Sequence, residues 1–144
     1  MTTRVLFVCL GNICRSPAAE AVFRALRPDL ATDSAGTAGY HMGEPPYGPM
    51  QDAARKRGIA MDDLRARQFT AKDFSRFDLI LAMDADNLRD IEALRPQDAA
   101  TPVHLLTDYG STANAVPDPY YTRDFDGALD IIEAAAQGLA EALN

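Results

Sequence analysis

Val5-Leu6-Phe7-Val8-Cys9-Leu10-Gly11-Asn12-Ile13-Cys14-Arg15-Ser16-Pro17 decides the reading of this chain. Val5–Val8 is an uninterrupted apolar run, which suits a parallel strand buried on both faces better than a half-exposed one. A glycine-containing turn follows, and Ser16-Pro17 then reads as an N-cap with proline at the first helical position. Ala19, Val22, Phe23 and Leu26 repeat at helical spacing. Glu20 stands four residues after Ser16 rather than three, so the cap lacks a capping box.

Working outward, Leu30–Ser34 reads as a second short strand ended by Gly36. The stretch to Pro49, dense in glycine and proline, reads as a surface loop. Met50–Arg57 is expected to be a helix stopped by Gly58, and Thr70–Phe77 a short helix opening on a threonine cap. Leu79–Met83 is another apolar strand, followed by a helix with Leu88, Ile91 and Leu94 as a core stripe. Val103–Leu106 is the last strand. Phe125, Leu129, Ile132, Ala136, Leu139 and Leu143 mark a long amphipathic C-terminal helix. Short apolar strands alternating with helices define an α/β, doubly wound class: a four-stranded parallel sheet flanked by helices. In such sheets ligands bind beyond the carboxyl ends of the strands, which is where the Cys9–Ser16 turn lies.

The 144 residues suit one domain spanning the whole chain, and 47% hydrophobic with 24% charged residues is ordinary globular composition. A net charge of -7 with scattered basic residues argues against nucleic-acid and anionic-membrane partners. With no apolar run near ~20 residues and no signal-peptide pattern at the start, a cytoplasmic location is expected. Cys9 and Cys14 bracket four residues, too few to staple a fold, and neither His41 nor His104 stands at metal-ligand spacing from them. No metal and no cofactor are expected. The histidines have no evident acid or base partner in the sequence and read as structural.

The turn itself carries chemistry. A strand-to-helix junction directs backbone N–H groups and the positive end of a helix dipole into one concavity, an anion cradle. Gly11 and Asn12 tolerate positive φ, as a tight loop of converging amides requires. Arg15 adds a two-pronged donor matched to phosphate oxygens. Cys9, beside a helix N-terminus and a guanidinium, is expected to ionise below the ~8.5 of a free thiol. A thiolate under a bound phosphate is a nucleophile aimed at phosphorus, implying covalent phosphoryl transfer. Ser16 is placed to donate to that sulfur. The ending Arg-Ser, not Gly-Lys-Ser/Thr, excludes a nucleotide phosphate loop.

The leaving oxygen needs a proton, and Asp118 in Val116-Pro117-Asp118-Pro119-Tyr120-Tyr121 is the candidate acid, its loop stiffened by two prolines. Asp-Pro is also frequent in plain turns, and spacing alone leaves both readings open. Tyr40, Tyr120 and Tyr121 suit the wall of an aromatic substrate pocket, or equally an ordinary surface.

The strings VLFVCLGNICRSPAAEAVF, DSAGT, GEPP, RARQ, FDLILAMD and DPYY together resemble the low-molecular-weight protein tyrosine phosphatases, in order and at family length. That resemblance implies a flavodoxin-like topology, with Cys9 as nucleophile, Arg15 as phosphate clamp and Asp118 as acid, then base. It implies that Asn12, Ser16 and Ser34 support the loop, which also includes Gly11 and Ile13. Leu10, Tyr40, Tyr120 and Tyr121 would build the substrate pocket, Asp84 would stand near Arg15, and Cys14 would form a reversible disulfide with Cys9. The implied partners are a phosphotyrosine protein, such as a bacterial-type tyrosine kinase, and phosphate or another oxyanion in the loop. One departure is visible: many members carry histidine where this chain has Leu64, which puts loop rigidity in question. Arsenate reductases share the loop but need later cysteines, which are absent after Cys14. Protein-arginine phosphatases typically place threonine at the position of Ile13 and lack the tyrosine pair. They remain an alternative, as does a non-catalytic phosphate-binding module.

Overall fold

The computed structural model describes residues 2–110 and 113–143. Four parallel strands, β1 (Arg4–Cys9), β2 (Ala31–Gly36), β3 (Leu79–Ala82) and β4 (Val103–Leu105), pair in the order β2-β1-β3-β4. The helices are α1 (Arg15–Leu26), α2 (Gly48–Arg55), α3 (Asp73–Arg76), α4 (Ala85–Ala93), α5 (Pro119–Thr122) and α6 (Phe125–Ala142). This is the doubly wound, flavodoxin-like arrangement expected from the sequence.

Residue alternation along β1 divides the core. Val5, Phe7 and Cys9 face one layer with Phe23 of α1 and Leu129 and Ile132 of α6. Leu6 and Val8 face the other, with Phe74, Ile80 and Ile91. Both faces are buried, which is why β1 shows no polar alternation. From β1 the chain passes to β2 on one side and returns across to β3 on the other. The carboxyl ends of β1 and β3 therefore diverge at a switch point, where open α/β sheets hold ligands.

Several boundaries differ from expectation. Helix α1 begins at Arg15 with Cys14 in the cap position, so Ser16 is not the N-cap and Pro17 is the third helical residue. The Ser16 hydroxyl is turned instead toward Cys9. Strand β2 runs through Gly36, α2 begins at Gly48, and β4 ends at Leu105 where Leu106–Tyr109 tightens into a 3₁₀ turn. The helix expected from Thr70 forms only at Asp73, whose carboxylate accepts the Thr70 amide at 2.9 Å. Of the expected stripe on α4, Ile91 is fully buried, but Leu94 at the C-cap is 45% exposed. No helix of the described residues is long and apolar enough to cross a membrane.

Candidate active site

The loop between β1 and α1 is shaped by what holds its carbonyls. The Cys9 and Leu10 carbonyls accept from the amides of Thr37 and Ala38 at 2.9 Å each, and the Ile13 carbonyl accepts from Tyr47 at 2.8 Å. In a trans peptide unit the N–H points opposite to the C=O, so tethering these oxygens outward turns the amides of Leu10, Gly11 and Cys14 inward. Asn12 sits at φ 57°, in the left-handed region, and its side chain stabilises that conformation. Its Nδ2 donates to Ser16 Oγ at 2.8 Å, while its Oδ1 accepts the Arg67 backbone amide at 3.0 Å. Gly36, paired with Cys9 across the sheet, leaves the room the loop occupies: a Cβ there would stand 2.7 Å from the Leu10 carbonyl oxygen.

The Cys9 sulfur, on a residue 2% exposed, lies within this ring. It accepts the Asn12 amide at 3.3 Å and lies 3.0 Å from Ser16 Oγ. Ser16 has one hydroxyl proton and two acceptors for it, Cys9 Sγ and the Ala35 carbonyl at 3.3 Å. Donation to a thiolate is charge-assisted and therefore the stronger choice when the sulfur is ionised.

Arg15 is the hub behind the loop. Nη1 donates to Asp84 Oδ2 at 2.6 Å and to the Val116 carbonyl at 3.0 Å, and Nη2 to Asp118 Oδ2 at 3.4 Å. Burial opposes its charge, but Cys9, Asp84 and Asp118 outweigh burial and hold its pKa above the ordinary arginine value. Each carboxylate is fixed by local sequence: Asp84 caps α4 through the Asn87 amide at 2.8 Å, and Asp118 caps α5 through the Tyr120 amide at 3.1 Å. Proline at the first position of α5 is pre-set for a helix start and has no N–H there to satisfy.

Above the loop opens a cleft. Cys9, Leu10, Gly11, Ile13, Cys14 and Arg15 line it from the loop, and Tyr40, His41, Asp118, Tyr120 and Tyr121 line it from the surrounding segments. Tyr40 and Tyr121 are more than 70% exposed at its rim.

Comparison with known proteins gives this geometry a lineage. A family model described as low molecular weight phosphotyrosine protein phosphatase matches residues 4–144. The chain belongs to that family. Among its relatives, the low molecular weight protein-tyrosine-phosphatase YfkJ of Bacillus subtilis is 41% identical over 143 residues, covering 94% of this chain and 92% of YfkJ. The crystal structure of YfkJ superposes with a TM-score of 0.92 at 39% identity, over 99% of this chain and 94% of the other. The human low molecular weight phosphotyrosine protein phosphatase is 46% identical over 134 residues, 87% of this chain and 84% of its own. Vibrio vulnificus Wzb, solved in complex with benzylphosphonate, superposes with a TM-score of 0.88 at 28% identity, over 99% and 100% of the two chains.

Most of the expected site residues line the cleft or bond to those that do, with two adjustments. Ser34 does not reach the loop directly: its hydroxyl donates to Glu20 Oε1 of α1 at 2.7 Å, so any support passes through that helix. Burial pushes the Glu20 carboxyl above its usual range, although the Ser34 bond acts the other way. His41 is not without a partner, since its Nδ1 lies 3.1 Å from Glu44 Oε2 and its ring lines the cleft. Leu64 is half-buried against the core. Both cysteines are free and buried, and burial pushes the Cys14 thiol up to about 12, with the negative charges of Cys9 and Asp118 adding to the effect.

The long-range partners were not visible in the sequence. Arg67 reaches the loop by its main chain, while its side chain is gripped by the fully buried Asp73. The Val116 carbonyl is a main-chain acceptor with no residue signature. His41 and Glu44, three apart in a loop, offered a weak signal as an acid–imidazole pair.

Proposed function

We propose that the protein hydrolyses phosphotyrosine in protein substrates, and small aryl phosphates, through a phosphocysteine on Cys9. The observation that carries this reading is a buried sulfur facing two hydrogen-bond donors, the Asn12 amide and Ser16 hydroxyl, within a loop whose amides turn inward beside Arg15. Inward amides and a guanidinium stabilise the equatorial oxygens of a transferring phosphoryl group, where charge is spread in the transition state. Asn12 and Ser16 act behind the loop and keep its shape.

In the first step the Cys9 thiolate attacks phosphorus as the P–O bond to the leaving phenol breaks. Protonated Asp118 gives its proton to the phenolate oxygen. In the second, the Asp118 carboxylate takes a proton from water as that water attacks the phosphocysteine. Inorganic phosphate leaves, and the sulfur recovers its electron pair under the donation of Ser16 and Asn12. Asp84 is a positioning residue: its 2.6 Å bond fixes Nη1 of Arg15, so that Nε and the Nη2 hydrogen not directed at Asp118 are the donors that meet phosphate oxygens. Tyr40, Tyr120 and Tyr121 supply aromatic walls for the ring. Those walls, and Ile13 on the loop, favour an aryl ester over a phosphoguanidine.

We read Cys14 as the partner that bridges to oxidised Cys9, on the proximity of two free thiols in one loop. A nucleophilic thiol has to stay reduced to turn over, which favours a reducing compartment, the cytoplasm, as cell fractionation would check. Phosphotyrosine-bearing proteins are the partners this reading implies, a bacterial-type tyrosine kinase among them, and trapping on a Cys9→Ser variant would identify them.

Two assays test the function. Phosphotyrosine, phosphoserine and phosphoarginine peptides compared side by side should show turnover of the first alone; preference for phosphoarginine would reassign the substrate. Asp118→Ala should slow phenyl phosphate, a poor leaving group, by ~10²–10⁴-fold while sparing p-nitrophenyl phosphate far more. Equal losses on the two esters would remove the acid role from Asp118.

A further inference from the structure

A second groove opens on the far side of Leu10 and Tyr121 from the substrate cleft. Leu10, Arg15, Asp118 and Tyr121 line both, so the two are continuous across that wall. Beyond it the lining passes to Asp84 and to Asp86, Asn87, Arg89 and Asp90 of α4.

The groove carries an excess of negative charge. It carries four aspartates against two arginines, and the ones nearest the cleft, Asp84 and Asp118, are committed to Arg15. The outer two are available. Asp90 is exposed and makes no ion pair among the described residues. Asp86 meets only Arg89 at 2.9 Å, with both side chains more than 70% exposed, and exposed pairs of this kind are weak and readily exchanged. Between them lies Asn87, 2% exposed, whose carboxamide oxygen has no hydrogen-bond partner. Buried polar groups are almost always bonded, and among the described residues only Thr37 Oγ1 shares this condition. That oxygen is itself closed off from solvent, so what the groove presents to an incoming group is the charge of Asp86 and Asp90, which matches a donor-rich, positively charged side chain.

We propose that this groove receives a lysine or arginine side chain of the substrate, and so selects phosphotyrosines with a basic residue close by in sequence. The inference rests on the phosphotyrosine reading above and adds a substrate class to it. The charge of -7 works in the same direction, because an acidic protein draws cationic peptides toward a dianion-binding loop it would otherwise repel.

The test uses the full chain and one phosphotyrosine peptide scaffold in which lysine, alanine or glutamate is placed at each position within three residues of the phosphotyrosine. At one or more positions the lysine peptide should exceed the glutamate peptide in kcat/KM by ~5–10-fold at low salt, chiefly through KM. The ratio should shrink toward unity near 0.5 M salt as screening shortens to a few ångströms. The paired substitution Asp86→Asn and Asp90→Asn should flatten the series to within ~2-fold. Equal values for all peptides, or a lysine preference that survives the paired substitution, overturns the proposal. Aryl phosphate separates the two levels of the argument. Its turnover by the unsubstituted enzyme without peptide discrimination overturns the groove alone, whereas failure to turn it over overturns the phosphatase reading itself.

Discussion

Gly36→Ala places a single methyl group against the phosphate-binding loop from behind. Gly36 lies at the end of β2, buried, with ordinary strand geometry, so alanine meets no backbone strain there. The added Cβ would lie 2.7 Å from the Leu10 oxygen, 3.0 Å from the Gly11 carbonyl carbon and 3.1 Å from the Asn12 nitrogen. Every one of these is main chain, and none can rotate away. Carbon–oxygen contacts settle near ~3.3 Å, so the loop must retreat by ~0.6 Å. The Asn12 amide, 3.3 Å from the Cys9 sulfur before the change, would move with it. Overpacking of this kind costs about 1–3 kcal/mol, which at this chain length is a Tm loss of several degrees and leaves the protein folded. Catalysis is more sensitive, because ~1 Å of misplacement costs about 10²-fold. The expectation is therefore a fall in kcat of ~10–100-fold on p-nitrophenyl phosphate, measured beside Tm on the same preparation. A variant with kcat within twofold of the parent and an unchanged Tm would show that the loop does not depend on this packing.

Two further outcomes follow from buried titratable groups. Glu20 ionises above the usual carboxylate range because of burial, so the folded state binds more protons than the unfolded chain and its contribution to stability is lost as pH rises past ~4.3. Glu20→Gln keeps the acceptor for Ser34 and removes the titration, and should gain Tm over the parent toward neutral pH but not in acid; identical Tm–pH curves would contradict this. Cys14, held near 12, is almost wholly thiol at neutral pH. After peroxide converts Cys9 to its sulfenic acid, bridge formation requires the Cys14 thiolate to displace hydroxide, and its rate should climb about tenfold per pH unit between 6 and 8. A rate independent of pH would exclude Cys14 as the attacking group.

The parts of this architecture legible in the sequence are those that physics makes local. An apolar run ending in Cys9, a turn of permissive residues and a helix starting within seven positions constrain one another over a short stretch, so the cradle could be read directly. Asp118 was legible only in part: the proline after it marks a stiff, non-helical loop, but spacing left acid and plain turn equally open, and its capping of α5 comes from the structure. The contact of Ser16 with the Cys9 sulfur was legible, but its N-cap role was misread, because a serine before proline has the same local signature whether its hydroxyl caps its own helix or turns back to a sulfur seven residues earlier. The structure decides between these, as the Asn12 carboxamide occupies the other side of that hydroxyl. Main-chain partners such as Arg67 N–H and Val116 C=O carry no residue identity at all. The buried Asp73–Arg67 and Glu20–Ser34 contacts depend on how distant segments pack, and no spacing rule announces them.

The most direct test of the central claim is to quench the enzyme in mid-turnover with a phosphorus-labelled aryl phosphate and locate the label by peptide mapping. The account predicts a sulfur–phosphorus adduct on Cys9, approaching one phosphoryl group per chain as substrate saturates. The adduct should be absent from a Cys9→Ser variant that still binds inorganic phosphate. Turnover that leaves no adduct, or one that labels any residue other than Cys9, would contradict it.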